Sequence, residues 1–184
     1  MIPVTLSTER LVLSIPVEAD IDRIALYCQD PLFERYLTTP WPYERRHAEG
    51  FVREIVPSGW ASDTEYTWAI RLQDDDALLG VIGWRAERGD VGFWMGAPHR
   101  GNGYMSEALA TVCEWVFVER GLDRIAWESV RGNLDSARVA RAVGFRFLGE
   151  APVELAFRDG SRPDGWHAEL RRDDDGSILE GWPL

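Results

Sequence analysis

The spacing of hydrophobic positions in the first half of the chain changes between strand-like alternation and helical periodicity. Alternating residues predict a first strand that ends at Pro16, and an amphipathic helix follows over the run VEADIDRIALYCQD. A short helix, a Pro-Trp-Pro turn and a second helix that starts near Tyr43 are predicted next. The acidic turn QDDD joins the runs EYTWAIRL and ALLGVIGWRAE into a predicted hairpin, and the aromatic run GDVGFWMG predicts a buried strand beside it.

Helical periodicity is clearest in the second half of the chain. Apolar residues recur at helical spacing from Met105 onward, and Gly121 supplies the end of that long helix. A strand over DRIAWESV and a helix over NLDSARVARAVG, closed by Gly144, precede strands over FRFLGE and VELAFRDGSRPDGWHAEL, with a turn at RDGS. The pattern therefore predicts one α/β (α+β) domain over residues 1–172, in which a mixed central sheet carries helices on both faces, and a C-terminal tail over residues 173–184.

The composition narrows the possible partners. The chain has 184 residues and a formal net charge of −11, which disfavours nucleic acid and anionic membranes as partners and favours basic or amine-bearing ligands. Neither a membrane-spanning run nor a signal peptide is found, so we expect a cytoplasmic protein. Cys28 and Cys113 lie far apart in helical runs and are expected to be reduced core residues. The isolated histidines lack the spacing of metal ligands, so no metal is expected.

A glycine-rich turn between a strand and the long helix is the first candidate for chemistry. Gly101 and Gly103 precede a helix start, where unsatisfied N–H groups and the helix dipole can hold an anion, and Arg100 adds a donor suited to phosphate. A plain tight turn explains the same spacing. The P-loop motif is excluded because Tyr104 and Met105 stand where Lys and Ser or Thr are required, and the dinucleotide-binding fingerprint fits poorly.

The run RGNGYMSEA resembles the R/Q-x-x-G-x-G/A motif of the GNAT superfamily of acyl-CoA-dependent N-acetyltransferases. The runs TERLVLSIPVEAD, PYERRHAEGFV and NLDSARVARAVGFRFLGE are similar to the branch that contains the ribosomal-protein alanine N-acetyltransferases. The resemblance extends over residues 5 to 172 in the order found in that family. Met105 departs from the motif, which has Gly or Ala there, and we expect its side chain to point into the core between helix and sheet.

This resemblance implies a donor substrate and a place for it. Members of the family hold acetyl-CoA in a V-shaped opening between two splayed parallel strands, which correspond here to the runs VGFWM and IAWESV. By this resemblance, loop N–H groups bind the pyrophosphate, two strand residues pair their backbone with the pantetheine arm, and a strand N–H near Met95 faces the thioester oxygen. The residues implied to bind acetyl-CoA are Trp94, Met95, Arg100, Gly101, Asn102, Gly103, Tyr104, Met105, Asn133 and Arg138.

The resemblance also implies catalytic residues. Many members use a Tyr on the last helix as the acid that protonates the leaving thiolate, but Ala140 occupies that position. In the ribosomal-protein branch a Ser in N-x-x-S takes this role, so Ser136 is the implied proton donor, and Asn133 is an N-cap that also touches pantetheine or acceptor. For the general base the resemblance suggests Glu154. Asp90 and Glu128 remain alternatives.

The acceptor is expected to be a primary amine, carried by a small molecule or a protein N-terminus. By the resemblance, Trp41, Trp60 and Trp68 cluster around the helical segment on the acceptor side, and Trp41 is the candidate residue of an aromatic wall that binds the amine. Neither cysteine is placed to carry an acyl group, so we expect direct transfer in a ternary complex. The length of the acyl group stays open, and the chain is expected to be a monomer or homodimer. The alternative is a non-catalytic acyl-CoA-binding or regulatory module of the same fold.

Overall fold

The computed structural model describes residues 1–184, and its elements follow the predicted order. The strands are β1 (Leu6–Ser7), β2 (Leu11–Ser14), β3 (Glu65–Leu72), β4 (Asp75–Arg85), β5 (Asp90–Met95), β6 (Arg124–Val130), β7 (Arg146–Pro152) and β8 (Asp164–Arg171). The helices are α1 (Ile21–Tyr27), α2 (Pro31–Tyr36), α3 (Arg45–Gly50), α4 (Val56–Ser62), α5 (Tyr104–Glu119) and α6 (Leu134–Ala142), and a π-helical segment, Phe51–Ile55, joins α3 to α4.

One mixed sheet of eight strands, in the order β1-β2-β3-β4-β5-β6-β8-β7, organises the whole chain. Every neighbouring pair is antiparallel except β5 and β6. These two strands pair only where Asp90 lies opposite Ala126 and Val91 lies opposite Trp127. Both strands continue beyond that point, so they separate and leave a V-shaped opening in the sheet. The predicted mixed sheet with a splayed parallel pair is confirmed.

Helices cover both faces of the sheet because the central strands are apolar on both sides. On one face, Tyr66, Trp68 and Ile70 of β3 pack with α5 and α6 in a core of 28 buried residues. On the other face, Ala69 belongs to a second core of 11 buried residues, which α1, α2 and α3 share. Burying each such large apolar side chain stabilises the fold by about 2 kcal/mol.

The long helix and the last helix end as predicted. Gly121 has φ 66° just after α5, and Gly144 has φ 94° just after α6, backbone angles that glycine adopts without strain. The two cysteines are free and buried, as expected. Burial raises the pKa of the Cys28 thiol to about 12 and raises the pKa of the Cys113 thiol as well.

Two predicted boundaries in the first half are wrong. The first strand is a hairpin in which Leu6 of β1 lies opposite Leu13 of β2, because the Thr8 hydroxyl accepts the Leu11 N–H at 2.9 Å and turns the chain. The second helix begins at Arg45 rather than near Tyr43, whose ring is buried in the second core.

The C-terminal region differs from the prediction in one further place. Residues 153–157 form no strand, because the Glu128 carboxylate accepts the N–H groups of Glu154 and Leu155 that would otherwise pair with a neighbouring strand. Residues 173–184, predicted to be a tail after the domain, contain no helix or strand, yet Trp182 belongs to the larger core.

None of the helices combines the length and the apolar character needed to cross a membrane. No group of three or more His, Cys, Asp or Glu side chains is arranged to hold a metal ion.

Candidate active site

The glycine-rich loop before α5 presents bare backbone. Gly101 and Gly103 have φ of 79° and 77°, and a Cβ at Gly101 would meet nothing within 4 Å. Helix α5 begins at Tyr104, and no side chain caps its first turn. Because the first N–H groups of a helix have no partner within the helix, this turn is a site for an anion.

Arg10 holds this loop in place, a role that the sequence did not reveal. Its Nη1 donates to the Asn102 carbonyl at 3.1 Å, and its Nε donates to Oε2 of Glu107 at 2.7 Å. The guanidinium also lies 5.0 Å from the centre of the Tyr104 ring. Arg10 therefore ties the loop, the first turn of α5 and the start of β2 together.

The two arginines expected at the phosphates have partners within the protein. Arg100 forms an ion pair with Asp30 at 2.8 Å and donates from Nε to the Met95 carbonyl at 3.1 Å. Arg138 is exposed and pairs with Asp135 at 3.0 Å. The unsatisfied anion-binding donors of the loop are therefore its backbone N–H groups.

A cavity of about 680 Å³, called the loop cavity below, runs from this loop into the opening between β5 and β6. The structure brings to it every residue predicted to bind acetyl-CoA. Its lining includes Trp94, Met95, Arg100, Gly101, Asn102, Gly103, Tyr104, Met105, Asn133 and Arg138. An elongated ligand with a phosphate group at one end fits a cavity that has spare N–H donors at that end.

The opening also exposes backbone of β5. The Gly96 N–H donates to the Leu79 carbonyl at 2.9 Å, and Met95 lies opposite Gly80. Because successive residues of an antiparallel ladder turn their hydrogen-bonding groups to opposite sides, the Met95 N–H faces away from β4 and toward β6. This is the donor that the resemblance implied for a thioester oxygen.

A second cavity of about 230 Å³, called the sheet cavity below, lies over the sheet on the other side of the opening. Its floor includes Gly83 and Gly92, which lie opposite each other on β4 and β5, and the Arg85 guanidinium covers Gly92. Its wall includes Phe51, Leu155 and Phe157. The two cavities share six lining residues, namely Tyr36, Leu37, Phe93, Trp94, Asn133 and Ser136.

The predicted Asn-x-x-Ser pair stands at this junction. Oδ1 of Asn133 accepts the Ser136 N–H at 3.4 Å, so Asn133 caps α6 as predicted. Ala140 is completely buried, so the structure leaves no room at that position for the tyrosine of other family members. Ser136 is the remaining hydroxyl of α6 that lines both cavities.

Ion pairs engage most of the charged groups near the sheet cavity. Arg85 donates to both oxygens of Asp90 at 2.8 Å, and Arg88 joins Asp90 at 3.1 Å to Glu128 at 2.8 Å. Glu128 also accepts the N–H groups of residues 154 and 155 at 2.7 and 3.0 Å. Asp90 and Glu128, two of the suggested bases, are thus already hydrogen-bonded to arginine and backbone donors.

Glu65 is a carboxylate of the sheet cavity that sequence reasoning missed. It begins β3 and lies opposite Arg85, but no ion pair joins the two side chains, because Arg85 turns to Asp90. Burial raises the pKa of the Glu65 carboxyl above its usual value, the charge of Arg85 opposes part of that rise, and Asp90 adds to it. The sequence feature that could have indicated it is an acidic residue at the start of a mostly apolar strand.

Two predicted site residues lie outside both cavities. The Glu154 side chain is 70% exposed and lies 3.6 Å from Arg88, and it does not line the sheet cavity. Trp41 packs against the second core and lines neither cavity. Trp60 and Trp68, which the sequence grouped with it, are fully buried in the larger core.

Comparison with known proteins agrees with this architecture. Residues 10–146 match the family model of the acetyltransferase (GNAT) domain. The protein p20 of Bacillus licheniformis, named as an N-acetyltransferase, is 25% identical over 150 residues, which are 77% of this chain and 82% of p20. Other curated relatives match over 48% to 52% of their own length.

Solved structures share the fold at low identity. The ribosomal-protein-S5-alanine acetyltransferase of Vibrio fischeri superposes with a TM-score of 0.74 at 19% identity, covering 95% of this chain and 99% of that one. RimL, a ribosomal L7/L12 alpha-N-protein acetyltransferase solved in complex with coenzyme A, superposes with a TM-score of 0.78 at 17% identity. The superposition covers 94% of this chain and 100% of that one.

Proposed function

Because the chain belongs to the GNAT acetyltransferase family and is thus an enzyme that transfers an acyl group from acetyl-CoA, we propose that it acetylates a primary amine by direct transfer in a ternary complex. One observation carries this proposal: the loop cavity and the sheet cavity meet where β5 and β6 separate, beside Asn133 and Ser136. A donor in the first cavity and an acceptor in the second would have their reacting groups at that junction.

The donor would be held mainly by backbone. In this proposal the N–H groups of residues 101–105 bind the pyrophosphate, and Arg100 and Arg138 stand beside the phosphates. Trp94 and Met95 line the stretch of cavity that the pantetheine arm would fill, but only Met95 turns its N–H to the unpaired β6 side, because the N–H and C=O of Trp94 face β4. The Met95 N–H would stabilise the negative charge that develops on the thioester oxygen, a contribution of about 3 kcal/mol for one such donor.

Ser136 would protonate the departing sulfur. A thiol has a pKa near 8.5, so the leaving group needs only modest acid assistance, which a hydroxyl at the junction supplies. Asn133 would position Ser136 through the N-cap bond and contact the pantetheine or the amine. No cysteine would carry the acyl group, because Cys28 and Cys113 are both buried and burial raises the pKa of both thiols.

The α-amine of a polypeptide is the first acceptor to test. The names of two structural neighbours assign them ribosomal-protein substrates, and a chain of net charge −11 favours a cationic acceptor such as the ammonium group of a protein N-terminus. Small amines are the second class, because the sheet cavity, at about 230 Å³, accommodates a single amine-bearing group.

Donor binding is the first measurement. Acetyl-CoA at 100 times its Kd should add about 2.7 kcal/mol to the free energy of unfolding and raise Tm. The wild-type protein is then given acetyl-CoA and a panel of peptides, amino acids, polyamines and aminoglycosides, and free CoA is measured. A raised Tm without CoA release from any amine would contradict the proposed acetyl transfer.

Replacement of Ser136 tests the proposed acid. We expect Ser136→Ala to lower kcat by about 100-fold, the lower end of the usual contribution of general acid catalysis, with unchanged affinity for acetyl-CoA. Ser58→Ala, an exposed position on α4 far from the cavities, is the matched control. Equal turnover of the two variants would remove Ser136 from the mechanism.

A further inference from the structure

The sheet cavity contains a carboxylate whose role the proposed function does not explain. Glu65 lines this cavity together with Thr67, Gly83 and Gly92 on the face that would receive the acceptor. The register across β3, β4 and β5 aligns Glu65 with Arg85, and Arg85 with Asp90. Gly83 and Gly92 form the next residue pair between β4 and β5, and their lack of side chains leaves room for the Glu65 carboxylate over Gly83 and for the Arg85 guanidinium over Gly92.

Charge pairing isolates Glu65 among its neighbours. Arg85 is bound through two hydrogen bonds to Asp90, and Arg88 bridges Asp90 and Glu128. Only burial and the charges of Arg85 and Asp90 act on the Glu65 carboxyl, with no hydrogen bond among the influences on it. A half-buried carboxylate without a protein donor is free to accept a hydrogen bond from a ligand in the cavity.

The cavity wall has a second unpartnered polar group. The hydroxyl of Thr39 is buried and has no hydrogen-bond partner. About half of the lining residues are hydrophobic, Phe51, Trp94 and Phe157 among them. A cavity that combines a carboxylate without a protein donor, free hydroxyls and aromatic residues fits a primary ammonium group attached to an apolar moiety.

We infer that Glu65 is the general base that accepts a proton from the ammonium group of the acceptor, an inference that rests on the proposed function. Three other carboxylates lie near the cavity and are less suited. Asp90 and Glu128 already accept hydrogen bonds from arginines, and Glu154 lies outside the cavity, 70% exposed.

In the proposed acyl transfer, each proton and each electron pair has a defined donor and acceptor. The ammonium R–NH₃⁺ gives one proton to Glu65, and the nitrogen lone pair forms a bond to the thioester carbonyl carbon. The carbon–sulfur bond breaks with its electron pair on sulfur, which takes a proton from the Ser136 hydroxyl. The Ser136 oxygen recovers the second nitrogen proton. The products are the amide, the thiol of CoA and one proton on Glu65, which passes to solvent.

Replacement of the carboxylate tests this role with an amine that fits the cavity. The probe is phenylalaninamide, a primary amine beside an aromatic ring, with acetyl-CoA as the donor. We expect Glu65→Gln to lower kcat/KM by about 100-fold, as loss of a general base usually does, with an unchanged Kd for acetyl-CoA and unchanged Tm. Glu87→Gln, an exposed carboxylate in the β4–β5 turn, is the matched control and keeps wild-type activity.

The pH dependence separates a base from a group that only binds the amine. In the wild type, kcat/KM should fall on the acid side as Glu65 becomes protonated, and Glu65→Gln should lose this limb. The other titratable or charged groups facing Glu65 are Arg85, Asp90, Glu128 and Tyr36, and no histidine lines the cavity. Glu65→Ala vacates a space that formate can enter. Added formate should therefore restore activity to this variant.

The outcomes distinguish the two proposals. A wild type that acetylates the probe while Glu65→Gln matches its rate overturns the role of Glu65 and leaves the proposed function intact. Loss of activity in Glu154→Gln but not in Glu65→Gln assigns the base to Glu154 instead. A wild type that binds acetyl-CoA but releases no CoA with the probe or any other amine overturns both.

Discussion

At the residue scale, Met105 is compatible with the proposal that the glycine-rich loop binds an anion through backbone N–H groups, since this mode of binding does not need a small side chain at position 105. The related motif has Gly or Ala at this position, yet Met105 is 7% exposed and belongs to the larger core at the start of α5. Its N–H group still points out of the first turn, because the backbone of the helix start does not depend on which side chain follows. The substitution therefore fills core space without removing a donor.

If the donors are backbone groups, substitutions at residues 105 and 103 should affect different quantities, stability in one case and acetyl-CoA binding in the other. Met105→Ala should lower the free energy of unfolding by about 2 kcal/mol, since it leaves a cavity, and should change the Kd for acetyl-CoA by less than about threefold. Gly103→Ala should instead weaken acetyl-CoA binding, because φ is 77° there and alanine is strained at that angle. Urea denaturation and calorimetric titration measure the two quantities. Loss of binding in Met105→Ala at unchanged stability would contradict the backbone model.

At the element scale, the connection between β7 and β8, residues 153–163, forms a wall of the sheet cavity without being a strand. Two contacts hold it. Glu128 accepts the N–H groups of Glu154 and Leu155, and Arg158 donates to the carbonyls of Glu34, Leu37 and Thr39 at 2.5, 2.9 and 2.6 Å. These carbonyls lie at and beyond the C-terminus of α2, where a cation is favourable.

The Arg158 contact therefore sets the shape of the sheet cavity, the proposed acceptor site. We expect Arg158→Ala to raise KM for the acceptor amine several-fold, since Leu155 and Phe157 lose their fixed position, and to leave the Kd for acetyl-CoA unchanged. Arg162→Ala removes the same charge from an exposed position on the same connection and serves as the control. Steady-state kinetics with varied amine make the comparison. An equal rise of KM in both variants would show that net charge, not the contact, is responsible.

At the scale of the whole molecule, local patterns predicted the order of elements, but not the contacts between distant segments. The ends of α5 and α6 and the Asn133 cap depend on a few adjacent residues, so glycines and an N-cap were enough to place them. Glu65 could not be identified in this way, because its isolation depends on how Arg85 and Asp90 pair on two other strands. Arg10 contacts the glycine loop from 92 residues away, and its sequence neighbourhood gives no sign of it.

The positions of the tryptophans also depend on contacts between distant segments, which local patterns do not predict. An aromatic wall was predicted from Trp41 and two others, but sequence proximity does not say which face of the sheet a ring meets. Trp60 and Trp68 lie 5.1 Å apart in the larger core, whereas Trp94 and Trp127 line the sheet cavity because they stand beside the point where β5 and β6 separate.

Trp182, in the segment predicted to be a tail, packs against the larger core. Its ring lies 5.6 Å from that of Trp127 and 5.4 Å from that of Phe147, and its Nε1 donates to the Phe145 carbonyl at 3.2 Å. Trp127 is the last residue of β6 that pairs with β5 before the strands separate. The terminal segment thus supports the strand that borders the sheet cavity, although it contains no helix or strand itself.

Substitution within this segment tests whether it is structural. Trp182→Ala should lower the free energy of unfolding by about 3 kcal/mol, as expected for a buried aromatic residue, because the cavity exposes Trp127 and leaves the Phe145 carbonyl without its donor. Ile178→Ala, at a position 60% exposed in the same segment, should change it by less than about 0.5 kcal/mol. Urea denaturation followed by circular dichroism compares them. If both variants unfold at the wild-type midpoint, residues 173–184 are a dispensable tail and the domain ends near residue 172. If only Trp182→Ala is destabilised, the support of β6 depends on that ring.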